Sequence, residues 1–146
     1  MKSILLSIAL SLFSISLISC ASSAGISNSR SLGHTYQDSS GLTFISLFDM
    51  GSIARGTART IGDGSAPKNL SVSLVEFDRL WSQLGLVDLS SYAVTSDSQR
   101  FDTVNNYVIM KGSMPVGKSS TYVIPKSKAP ASVKAWVRTF RKISKS

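Results

Sequence analysis

From Ile4 to Ile18 the chain carries no charge, only Ile, Leu, Ala and Phe broken by serines, and the run ends just before Cys20, the sole cysteine. Fifteen such residues fall short of the roughly 20 that cross a bilayer as a helix. After the basic Lys2 they fit the core of an export signal, which takes no part in the fold. What remains to fold is the 127 residues from Cys20 onward. With one thiol, no disulfide can close within the chain, even in an oxidising compartment. Stability must come from packing, and a chain of this length suits one domain around one core.

The junction Leu17-Ile18-Ser19-Cys20, followed by Ala21, resembles the bacterial lipobox. That motif has Leu at −3, a small or branched residue at −2, a small one at −1 and Cys at +1. An ordinary secretory signal favours a small residue at −3, where Leu17 fits poorly. The resemblance implies that signal peptidase II cuts between Ser19 and Cys20 and that Cys20 carries diacylglyceryl and palmitate-type lipid. The protein is then a lipoprotein of the cell envelope, held to a membrane through Cys20. Ala21 rather than Asp after the cysteine resembles the outer-membrane sorting pattern, which in a Gram-negative cell places the domain on the outer membrane facing the periplasm. The expected organisation is a signal peptide over 1–19, a lipidated cysteine and flexible tether over 20–40, and a globular domain over 41–146.

Ser, Gly and Asn dominate Ala21 to Ser40, a composition that suits a tether. Leu42 to Phe48 is rich in β-formers on both faces and reads as a strand inside a sheet. Ile53 to Ile61 reads as a second strand, with Gly56 weakening it or marking a bulge. Gly62 to Pro67 is a turn by composition, and Leu70-Ser71-Val72 a short extended piece. Ser73-Leu74-Val75-Glu76 is a capping box. It opens a helix ending near Leu84 with Gly85 as the C′ residue, and Leu74, Phe77, Leu80, Trp81 and Leu84 share its apolar face. Thr95 to Thr103 reads as a loop. Asn105 to Met110 and Ser120 to Ile124 read as strands of a hairpin with a longish connection. Pro130-Ala131-Ser132 opens a second helix to about Ile143, with Val133, Trp136, Val137, Phe140 and Ile143 as its buried stripe. The expected fold is α+β in the order β-β-α-β-β-α: a four-stranded, mostly antiparallel sheet with both helices on one face and the two tryptophans meeting in the core.

The residues offer little catalytic chemistry. The single histidine, His34, falls in the expected tether, which cannot hold an imidazole to the ~0.5 Å tolerance of a catalytic site. No Ser-His-Asp or Cys-His arrangement can rest on it. Ser65-Ala66-Pro67-Lys68 fits Ser-x-x-Lys, but lies in a Gly- and Pro-rich turn without the partner motifs of penicillin-binding enzymes. Asp63 between glycines lacks the repeated ligands of a calcium loop, and no Cys/His cluster suggests zinc. The expectation is a protein that is not an enzyme, with no metal and no cofactor. Tyr107 and Tyr122 fit either core or surface contact.

Charge is uneven. Residues 20–99 hold five Lys/Arg against seven Asp/Glu, and residues 100–146 hold ten against one. Lys134, Arg138, Arg141, Lys142 and Lys145 cluster on the second helix, a candidate contact for an anionic surface: phospholipid, an envelope polyanion or an acidic envelope protein. Export argues against nucleic acid. The order of elements from Gly41 to Ile143 is similar to emfourin, the small bacterial inhibitor of thermolysin-like metalloproteases. It shares a glycine-led strand pair, the helix over Ser73–Leu84, the Tyr107-Val108-Ile109 strand, a strand ending near a proline and a closing helix with Trp136. The resemblance implies protease inhibition as the alternative to a general binding domain, and it carries over no site residue.

Overall fold

The computed structural model describes residues 30–94, 101–113 and 118–146. The expected export segment, Cys20 and most of the expected Thr95–Thr103 loop lie outside the described residues. The fold is α+β, with one antiparallel sheet and two helices. The strands are β1 (Arg30–Asp38), β2 (Gly41–Asp49), β3 (Ala54–Ile61), β4 (Lys68–Val72), β5 (Ala93–Val94), β6 (Asn106–Ser113) and β7 (Lys118–Pro125), and the helices are α1 (Leu74–Gly85) and α2 (Ala131–Lys145). Spatially the seven strands run β4-β3-β2-β1-β6-β7-β5.

The four-stranded expectation is therefore corrected, and the largest correction concerns the tether. Arg30–Asp38 is the middle strand of the sheet, paired with β2 from Ser31↔Phe48 to Asp38↔Gly41 and with β6 from Arg30↔Ser113 to Thr35↔Val108. Order begins by Arg30, not Gly41. β1 alternates Leu32, His34 and Tyr36 on one face with Ser31, Gly33 and Thr35 on the other. That is the period-two pattern of a strand, written in residues whose composition resembles a loop. β4, expected as a short extended piece, and β5, not expected, close the two sides of the sheet.

Both helices cover the face that carries Leu32, His34, Ile45, Leu47, Ile109 and Ile124. The apolar ones form a single core with Phe77, Leu80 and Leu84 of α1 and Val133, Trp136, Val137, Phe140 and Ile143 of α2. The indole N–H of Trp136 donates to the Leu80 carbonyl at 3.0 Å, which ties the helices together. Trp136 stacks on Phe140 at 4.5 Å, whereas Trp81 stacks on Phe77 at the half-buried border. The indoles thus hold separate positions. On the opposite face Phe44, Phe48 and Ile61 are exposed.

A local signal sets the start of α1 but not its end. The Ser73 hydroxyl accepts the Glu76 N–H at 3.2 Å, one half of the expected capping box. Gly85 is the last residue of α1 rather than its C′, and Leu86 caps the helix in ordinary right-handed geometry. Gly56 does not open a bulge. It stays in register opposite Leu47, and a Cβ there would lie 1.7 Å from the Ser46 carbonyl oxygen. The glycine is required because two backbones approach too closely for a side chain. Gly56→Ala is predicted to destabilise the fold by about 3 kcal/mol or more, and Ser73→Ala by about 1 kcal/mol, measured by urea unfolding. A Gly56→Ala protein as stable as the parent contradicts the close approach.

Candidate functional site

Pairing between β1 and β6 stops at Thr35↔Val108, although both strands continue. His34 sits at this seam on the helix-covered face, with 0% of its surface exposed. Its Nδ1 lies 2.9 Å from the Val108 carbonyl, and its Nε2 lies 3.2 Å from Nε of Arg141. A carbonyl only accepts and a guanidinium only donates. The two contacts are satisfied together only if Nδ1 carries the proton and Nε2 carries none, so the imidazole is neutral. Burial pushes its pKa down to about 4, helped by the positive charges of Arg141 and Lys126 and opposed by the Val108 bond.

Aromatic rings surround it. Tyr36 stacks at 5.6 Å, Trp136 meets it edge-on at 6.4 Å and Tyr107 lies 6.5 Å away. Arg141 reaches this cluster from α2 and lies over Tyr36, its guanidinium carbon 4.1 Å from the ring centroid. Lys126 stands over Tyr107 at 5.7 Å and donates to the Thr103 and Val104 carbonyls. His34 is sealed from solvent, and both ring nitrogens are engaged, one with Val108 and the other with Arg141. The expectation that it lies in a mobile segment is corrected. A period-two reading of Leu32, His34 and Tyr36 could have found it, and composition hid it.

The basic residues of α2 divide into two groups. Lys134, Arg138, Lys142 and Lys145 are exposed, and at ~100° per residue they fall within an arc of about 80°. Arg141 borders the same stripe but is half-buried and turned inward. Beyond the C-terminal end of α2 lies a cleft of about 300 Å³, lined among others by Tyr36, Asp38, Thr60, Lys68 and Lys145. The Thr43 and Thr60 hydroxyls hydrogen-bond at 2.9 Å along it.

Ser65 and Lys68 also line this cleft without forming a nucleophile pair. Ser65 donates its hydroxyl and its N–H to Asp63 Oδ1, at 2.8 and 2.9 Å, which also holds the Asp63 carboxyl below its usual range. Asp63 thus closes a turn between Gly62 and Gly64, both at positive φ. Among the described residues no three His, Cys, Asp or Glu side chains converge as metal ligands.

Arg30, hidden in the expected tether, organises the other end of β1. It pairs with Asp49 at 2.7 Å and Asp78 at 2.5 Å and lies over Phe77 and Trp81. No family model, curated protein or solved structure matches the chain.

His34 makes stability depend on pH. Its folded pKa of about 4 lies below the unfolded value near 6.5. Between these values the unfolded chain binds more protons, so the contribution is complete above pH 6.5 and is lost as pH falls towards 4. By pH 4.5 the loss is about 2–3 kcal/mol. Urea unfolding at pH 7 and 4.5 should show this loss in the parent and a shallower one in His34→Gln. Parallel pH profiles for the two proteins contradict the assignment.

Proposed function

We propose that the chain is a lipid-anchored, non-catalytic protein of the cell envelope whose domain binds an anionic or protein partner. The observation that carries this reading is the lipobox-like Leu17-Ile18-Ser19-Cys20 at the end of a charge-free apolar run. The position of β1 supports it. The first described strand starts at Arg30, ten residues beyond Cys20, so lipid on the cysteine would keep that strand within about 35 Å of the bilayer even at full extension. No described helix is long and apolar enough to cross a membrane.

At that range the exposed stripe of Lys134, Arg138, Lys142 and Lys145 gains from any anionic surface, at about 1 kcal/mol per basic residue near a charged leaflet. In a Gram-negative cell, Ala21 favours the outer membrane facing the periplasm.

Metabolic labelling with palmitate, followed by membrane fractionation, tests the reading. The parent should take up label and sediment with membranes, and Cys20→Ser should lose both. An unlabelled parent that partitions like Cys20→Ser sinks the proposal. Co-purification of a thermolysin-like metalloprotease with the anchored protein, together with its inhibition, would move the reading to an emfourin-like inhibitor.

A further inference from the structure

The unused half of one side chain carries a further inference. Arg141 has its Nε committed to His34 and its guanidinium carbon over the Tyr36 ring. Among the described residues its two Nη groups have no hydrogen-bond partner, and both ion pairs found belong to Arg30. A guanidinium normally meets a carboxylate or phosphate through a fork of two N–H donors. Here one edge is held by a neutral ring while the Nη edge remains open, and the stacking fixes its direction. The chain has thus met the entropic cost of orienting an arginine without supplying an anion for it.

The charges nearby sharpen this. α2 contains no acidic residue. Arg138 and Lys145 stand at i−3 and i+4 from Arg141, the spacings that bring helical side chains together, and like charges there repel. Lys126 adds a fourth positive charge near His34. Asp38 is the carboxylate on the Tyr36 face of β1. It is exposed, and its Oδ1 accepts the Ser40 N–H at 2.9 Å in the β1–β2 turn. Lys145 and Tyr36 line the neighbouring cleft together with Asp38 and Asp63, and Arg141 itself is not part of its lining.

We infer that Arg141, pinned by His34 and Tyr36 and flanked by Arg138 and Lys145, is the centre of a binding site for a phosphate-class oxyanion. Basic residues one helical turn to either side of the oriented fork favour a multiply charged phosphate over a singly charged carboxylate. The same chemistry is offered by free phosphate and by the phosphodiester of a lipid headgroup. The site needs no lipid on Cys20, so it stands or falls separately from the anchoring proposal.

The test is calorimetric titration of inorganic phosphate into the full chain in maltoside micelles, repeated with acetate. Saturable binding at one site is expected, at least about tenfold weaker in Arg141→Lys, which keeps the charge but loses the fork. Lys134→Gln, two helical turns away, should change it by less than about twofold. Absence of saturation, equal losses in the two variants, or acetate binding as tightly as phosphate overturns the inference.

Should Arg141→Lys fail to fold, nitrogen-resolved NMR of the parent's arginine side chains decides. Phosphate must shift the Arg141 Nε–H resonance ahead of those of Arg55, Arg59 and Arg79, and uniform shifts overturn the site. Vesicles with and without phosphatidylglycerol then assign the source. Arg141-dependent capture by the anionic vesicles identifies the lipid headgroup, and capture indifferent to Arg141 alongside phosphate binding identifies a soluble phosphate.

Discussion

The structure depends on a neutral imidazole buried where two strands part. β1 lies in the middle of the sheet, and its pairing with β6 ends at Val108. An unpaired carbonyl buried at such a seam costs about as much as a lost hydrogen bond. His34 covers it with Nδ1 and turns Nε2 toward α2, where Arg141 donates. One ring therefore completes the sheet and fixes the helix above it. Few other side chains offer a donor and an acceptor on opposite edges of a flat ring that also packs against Tyr36 and Trp136. A protonated His34 would present a donor to a donor, so the seam and the orientation of Arg141 share one proton inventory.

Two arginines, at opposite ends of this arrangement, use aromatic faces differently. Arg30 lies over Phe77 and Trp81 and meets two carboxylates, Asp49 and Asp78. Its charge is balanced, and it locks the start of β1 to β2 and α1. Arg141 lies on Tyr36 and meets a neutral ring. The contrast within one domain separates a structural arginine from one with an unmet anion. It also explains why the five basic residues of α2 are not equivalent: four face solvent, and the fifth is held in place.

Much of the fold was legible because hydrophobic periodicity is strong where a helix covers a core. The stripes Phe77–Leu80–Leu84 and Val133–Trp136–Val137–Phe140–Ile143 placed both helices, and the Ser73 cap fixed the first turn of α1. β2, β6 and β7 were legible from β-branched and aromatic runs. β1 was not, because its open face is built from Ser31, Gly33 and Thr35 and its covered face carries a histidine. Only its pairing on both sides makes Arg30–Asp38 a strand. Gly85 illustrates the reverse error: a strong C′ residue by composition remained helical because Leu86 could cap the helix in right-handed geometry. In the candidate site, the positions on α2 were visible from charge alone. The inward turn of Arg141 depends on His34, 107 residues earlier in the chain, and no local pattern reports a contact of that range.

The most direct test of this account is the tautomer of His34, read from long-range nitrogen–proton NMR of the imidazole at neutral pH. The account predicts a single neutral ring with its proton on Nδ1 and a bare Nε2 coupled to the Arg141 Nε–H. A ring protonated on Nε2, or on both nitrogens, contradicts it, because neither form can accept the hydrogen bond that orients Arg141.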